Sequence, residues 1–182
     1  MSGIKEKSHS SEESPYRPLK ILWIGKESYE KNMDLLLDLA SAMPTDEFTV
    51  VGECKKRELP NINFVGHVSH DKIKDYYLNS DVLLCTSVIE GMPNIFLEAF
   101  KYQIPVVSSL YFKDFEDIIF YGGLTKEELK EQLEIVRNNP MEVNNRIEKG
   151  LDLLKERYTS KAAYKQFKEG ISLMYKSYPT NF

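Results

Sequence analysis

Asp81-Val82-Leu83-Leu84-Cys85 and, a few residues on, Glu90-Gly91-Met92-Pro93-Asn94-Ile95-Phe96-Leu97-Glu98 form the stretch on which the fold turns. The first part is an apolar run of strand length. Gly91 permits a tight turn, and Pro93 suits the first turn of a helix, where its missing N–H costs nothing. Ala99-Phe100-Lys101-Tyr102 continues that helix. The reading is strand, glycine turn, helix. Such a helix start points unpaired backbone N–H groups outward and favours an anion. Glu90 lies in the turn, and Glu98 lies one turn into the helix on the face of Asn94. Both carboxylates are expected to be accessible and able to accept hydrogen bonds from hydroxyls. An anion cradle between two such acceptors matches a diphosphate between two polyhydroxylated rings, the pattern of a sugar nucleotide.

Outward from this stretch, apolar strand-length runs alternate with helical ones. Strands are predicted at 20–25, 48–51, 61–65, 81–85 and 104–108. A helix is predicted over 31–43, with Leu35, Leu36, Leu39 and Ala42 as its apolar stripe, and a short one over 71–78. After Gly122-Gly123 the pattern becomes helical. Thr125 with Glu128 reads as a capping box for a helix over 127–138, Pro140 separates it from a helix beginning near Met141, and Thr159 starts a last helix to about Tyr175. Strands alternating with helices imply a doubly wound, Rossmann-like parallel sheet with additional C-terminal helices. The polar, serine-rich residues 1–18 read as a disordered leader or linker, 19–178 as one domain and 179–182 as a tail.

Composition narrows the function classes. The 182 residues suit one domain with a sizeable core. A formal net charge of −4 provides no basic field for nucleic acid. No apolar run approaches the roughly 18 residues that span a bilayer. Two cysteines, Cys54 and Cys85, read as free thiols, and a cytoplasmic location is expected. Three histidines, His9, His67 and His70, form no metal-ligand spacing, so no metal and no cofactor are expected.

In an open parallel sheet, ligands sit beyond the carboxyl ends of the strands. Lys26, just past Gly25, leaves the first strand at that edge, and Glu90 leaves the fourth at the same edge. Lys26 and Lys31 therefore read as anion contacts more readily than as ordinary surface lysines. His67 follows Gly66 in a turn whose backbone is placed to meet a base, while its ring reads equally well as solvated. A hydride-transfer domain would need Gly-x-Gly-x-x-Gly where Gly25-Lys26-Glu27 stands, and neither Ser87 nor Ser108 sits in a nucleophile elbow. A glycosidase could also use two carboxylates, but a parallel sheet with a phosphate-type turn argues for a nucleotide-activated donor.

The stretch from Glu90 to Glu98, with seven residues between the glutamates, then Ala99 and Pro105-Val106-Val107, resembles the signature of retaining GT-B glycosyltransferases of the group 1 family. Ile21-Leu22-Trp23-Ile24-Gly25-Lys26 with Glu30-Lys31-Asn32, Asn63-Phe64-Val65-Gly66-His67-Val68, and Ser80-Asp81-Val82 with Ser87 resemble further pieces of that family in the same order. The resemblance runs from about Leu19 to about Tyr175 and covers the donor-binding, C-terminal half of such an enzyme. It implies that Glu98 holds ribose hydroxyls, that Glu90 lies near the donor-sugar hydroxyls, and that amides around Met92, Pro93, Asn94 and Ile95 cradle the diphosphate. It implies further that Lys31 and Lys26 grip the diphosphate and that Gly25, Gly66, His67 and Gly91 border the donor. The sequence departs from the family pattern at Lys26 (arginine there), at Asn32 and Gln103 (glycine there), and over 110–116, which has no glycine. The implied activity is metal-independent, retaining transfer of a hexose-type sugar, with an N-terminal half or a separate partner chain supplying the acceptor side and the isolated chain inactive alone. The alternative is a stand-alone nucleotide-sugar-binding or protein-interaction module without catalytic activity.

Overall fold

A computed structural model describes residues 17–91 and 93–157. The leader up to residue 16, Met92, the predicted helix over 159–175 and the tail lie outside the described residues. The elements run β1 (Lys20–Ile24), α1 (Met33–Ala42), β2 (Glu47–Val51), β3 (Ile62–Gly66), α2 (His70–Leu78), β4 (Val82–Cys85), α3 (Asn94–Lys101), β5 (Val106–Ser108), β6 (Phe120–Tyr121), α4 (Lys126–Asn138) and α5 (Pro140–Arg157). The sheet order is β3-β2-β1-β4-β5-β6, and every pairing is parallel. This is the Rossmann-like, doubly wound sheet expected from the alternation of strands and helices.

The strands alternate between two cores. Ile21, Trp23, Phe48, Val50, Val82, Leu84 and Val107 face α1 and α4. Leu22, Val51, Leu83, Cys85 and Val106 face α2, α3 and the start of the β5–β6 connection. A sheet covered on both faces needs apolar residues at successive positions, so β4 is an unbroken apolar run with all four residues buried. No described helix is long and apolar enough to cross a membrane.

Two short elements escaped the sequence reading. β6 has only two residues, too few to show a period, and a 3-10 turn at Lys113–Phe115 precedes it. The glycine-free 110–116 segment is anchored by rings: Phe112 meets Phe96 edge-on at 5.5 Å, and buried Phe115 meets Phe100 edge-on at 5.6 Å. Phe115 is therefore part of the core. The departures at Asn32 and Gln103 have a backbone explanation. Asn32 and Gln103 adopt left-handed φ values of 47° and 59°, the region that favours glycine. Asn32 also caps α1, its side chain accepting the Leu35 N–H.

The amino edge of the sheet is closed by a buried charge network. Asp46, fully buried, accepts the Leu19 N–H at 2.8 Å and two bonds from Arg137 of α4 at 2.7 Å. Arg137 also grips Glu134 and donates from Nε to the Arg17 carbonyl. The network fastens α4 to the starts of β1 and β2. Removing one partner strands the other charge in the core, so Arg137→Ala should lower unfolding free energy by about 3–5 kcal/mol. Urea unfolding measures this, and a loss below about 1 kcal/mol would show that the network is not what holds α4.

Candidate functional site

β1 and β4 are neighbours in the sheet, yet the chain leaves β1 towards β2 and leaves β4 towards β5 on the other side. Their carboxyl ends thus form the switch point, where the following loops diverge and leave a crevice. The two loops are tied together. The Trp23 indole N–H donates to the Thr86 hydroxyl at 3.0 Å, which donates to the Lys31 carbonyl at 2.7 Å. The Val88 N–H reaches the Glu30 carbonyl at 2.8 Å. Thr86 and Trp23 are buried, so this relay fixes the backbone of Lys31 from inside the core.

On that backbone, the Lys31 ammonium pairs with Glu90 Oε1. The same oxygen accepts the Ser87 hydroxyl at 3.1 Å. Ser87 is itself held by its backbone carbonyl, which accepts the Ser109 hydroxyl at 2.6 Å. Two residues singled out 59 positions apart therefore meet at the switch point, largely shielded, with side-chain exposures of 24% and 18%. Lys26 does not join them. Its ammonium lies 3.3 Å from Glu53 and is 76% exposed.

Gly25, Gly66 and an unforeseen third glycine, Gly52, come together at the carboxyl ends of β1, β2 and β3. A Cβ on Gly52 would lie 1.8 Å from the Gly25 carbonyl oxygen, so only glycine allows the ends of β1 and β2 to approach this closely. The Gly52 N–H continues the chain of contacts to the Gly66 carbonyl at 2.8 Å. His67 follows, exposed. Gly91 is exposed, with open space where a Cβ would project.

α3 begins at Asn94, with Pro93 as N-cap and no side-chain cap over its first amides. Asn94 is exposed and Ile95 half-buried. Glu98 differs from the accessible acid the sequence suggested. It is half-buried, and its Oε2 accepts the hydroxyl of Tyr77, a core residue of α2, at 2.8 Å. The helical pattern of α2 marks Tyr77 as core but does not reveal that its polar tip reaches another helix.

Glu27, also missed, joins the loops after β1 and β2. It accepts the Lys55 N–H at 2.8 Å and two bonds from Arg57 at 2.5 and 3.1 Å. The Arg57 guanidinium, helped by that backbone N–H, holds its carboxyl down at about 2 against an ordinary 4.5. Among the described residues, no group of three or more His, Cys, Asp or Glu side chains is placed to hold a metal ion. A cavity of about 290 Å³ opens at the opposite, amino edge, lined by Arg17, Asp81, Gln103 and Arg137. Its charged groups are paired within the fold, Arg17 with Asp81 and Arg137 with Asp46 and Glu134. The carboxyl edge is the better candidate: there Lys31 and Glu90 meet at the switch point, and α3 starts with no side-chain cap over its first amides, whereas Asp46 and Arg137 are spent on holding α4 to the starts of β1 and β2.

Residues 18–152 match the glycosyl transferases group 1 family, and the chain belongs to that family. It is 29% identical over 101 residues to the amylovoran biosynthesis glycosyltransferase AmsD of Erwinia amylovora, covering 49% of this chain and 28% of that protein. The fold matches Anabaena Alr3699/HepE, solved in complex with UDP and glucose, at TM-score 0.72 and 16% identity, covering 85% of this chain and 48% of that one. It also matches the C-terminal domain of a group 1 glycosyl transferase, LpcC, from Francisella tularensis, at TM-score 0.63 and 18% identity, covering 78% of this chain and 87% of that domain. The chain thus spans less than half the length of the first two proteins. The shared architecture is the Rossmann-like half of a GT-B glycosyltransferase.

The Glu27 contact sets a pH dependence. Because its folded pKa lies below the unfolded value, its contribution to stability is fully present above about pH 4.5 and fades as pH falls towards 2. Carboxyl NMR titration should find Glu27 titrating near 2, and Arg57→Ala should return it towards 4.5. A midpoint near 4.5 in the unaltered chain would contradict the contact.

Proposed function

We propose that this domain binds a nucleoside-diphosphate sugar at the β1–β4 crevice and serves retaining transfer of a hexose-type sugar, without a metal, in the cytoplasm. The observation that carries this reading is the Lys31–Glu90 pair set at the switch point beside the uncapped start of α3. A lysine neutralised by a neighbouring carboxylate suits a dianionic ligand that can take the carboxylate's place. On this reading the diphosphate takes Lys31 from Glu90. The freed carboxylate, still held by Ser87, turns to the donor-sugar hydroxyls. Lys31 and the first amides of α3 then oppose the charge that develops on the leaving diphosphate, with Lys26 as a looser, solvent-screened contact. Lys26 lacks the bidentate fork of the arginine usual at its position. Glu98 receives the ribose hydroxyls, and the turn at Gly66 and His67 borders the base.

Transfer itself would need an acceptor-binding half facing this edge, in the same protein or in a separate chain, because one domain cannot close a dry cleft over donor and acceptor. Half of the contacts gives weak binding, with a Kd on the order of 0.1–1 mM. Calorimetry with UDP, GDP and ADP, with and without EDTA, should find one of them bound equally well in both conditions. Loss of binding on chelation would overturn the metal-free reading. Glu98→Gln should weaken that nucleotide about tenfold or more, since hydrogen bonds to a charged group are worth about 1.5–3 kcal/mol. Glutamine retains an oxygen for the Tyr77 hydroxyl, so the melting temperature should barely move. Unfolding of Glu98→Gln with nucleotide affinity intact would instead make Glu98 a scaffold residue.

A further inference from the structure

Tyr77 belongs to α2, yet its hydroxyl ends on the helix that starts the candidate site. The side chain is completely buried, and its ring stacks on Tyr102 at the end of α3, with centroids 5.2 Å apart and planes at 27°. The hydroxyl carries one proton and has two acceptors in reach: Glu98 Oε2 at 2.8 Å and the Ile95 carbonyl at 3.4 Å. The shorter contact, to a charged acceptor, takes the proton. Burial, and then Glu98 itself, push the phenol far above its usual titration range, so it stays a donor. The ring is held by its complete burial and by the stack on Tyr102. One oxygen of a half-buried carboxylate is thereby fixed on a rigid donor.

A glutamate on a helix surface ordinarily samples many rotamers, and ordering them opposes any ligand it must meet. We propose that Tyr77 is a positioning residue for nucleotide recognition: it clamps Oε2 of Glu98 so that Oε1 is presented, already oriented, to the vicinal hydroxyls of the ligand's ribose. This rests on the nucleotide reading of the crevice. It adds a residue that touches no ligand and lies on an element outside the strand-turn-helix motif. It also accounts for a feature packing alone does not require, since a phenylalanine would fill the same core space.

The test is a comparison of ligands across variants. UDP and 2′,3′-dideoxy-UDP, or the matching pair for GDP or ADP if one of those binds better, are titrated into the full chain and into Tyr77→Phe. The unaltered chain should prefer the ribose form about tenfold, and Tyr77→Phe should cut that preference to about two- or threefold, while affinity for the dideoxy form is unchanged. A structural role alone would weaken both ligands equally. Added to Glu98→Ala, which leaves the Tyr77 hydroxyl no side-chain acceptor at position 98, Tyr77→Phe should change nothing further. If Tyr77→Phe does not fold, 3-fluorotyrosine at position 77 keeps the hydroxyl, and its 19F resonance should shift with UDP and stay put with the dideoxy form. Equal preference in the unaltered chain and Tyr77→Phe, or a 19F resonance indifferent to UDP, overturns the assignment while the nucleotide reading stands. Failure of the unaltered chain to bind any of the three nucleotides overturns both.

Discussion

A parallel strand cannot fold straight back on its neighbour. Every connection must travel the length of the sheet before the next strand begins, so all strands of a parallel sheet end at one edge. In this chain that constraint gathers the loops after β1, β2, β3 and β4 on one side, and the reversal of strand order between β1 and β4 opens them into a crevice. Lys31 and Glu90 are neighbours for this reason and for no local one. The opposite edge takes the other consequence. There the strand starts are closed over by α4, and the buried charges of Asp46 and Arg137 satisfy each other and the backbone. One edge holds charges that complete the fold, the other a cation and helix amides that suit an anion.

The contacts around Lys31 show how a core determines a surface. The indole of Trp23 cannot be buried without a partner for its N–H, and Thr86 supplies it. Thr86 in turn donates to the Lys31 carbonyl, so a requirement of the core becomes the position of a lysine at the crevice. Ser109 holds Ser87, and Ser87 holds Glu90, in a second relay from β5. Tyr77 and Glu98 make a third, from α2 to α3. In each relay a buried hydroxyl or indole fixes the next group, and the relays end on Lys31, Glu90 and Glu98.

Much of this was legible in the sequence because it is periodic or because it is punctuated. Strands buried on both faces appear as unbroken apolar runs such as 82–85, and the capping box at Thr125 and Glu128 forms as its spacing indicates. Edges and tips were less visible. β6 is too short to have a period, and the anchoring of 110–116 by Phe112 and Phe115 looks in sequence like scattered aromatics. The left-handed conformations at Asn32 and Gln103 show that a missing glycine need not mean a missing turn. Long-range polar pairs were hidden altogether. Nothing local links Asp46 to Arg137, Glu27 to Arg57, or Tyr77 to Glu98, because these pairs exist only once the sheet has assembled.

The anion site proposed here lies at the β1–β4 switch point, and the cavity at the amino edge is part of the scaffold. Amide chemical-shift mapping of the 15N-labelled chain during titration with UDP tests it directly. The largest shifts should fall in the loop from Gly25 to Asn32, at Glu90, Gly91 and the start of α3, with smaller ones near Gly66 and His67, and none around Asp81, Gln103 and Asn144. Shifts concentrated at those last three residues, with the switch-point loops unmoved, would contradict it.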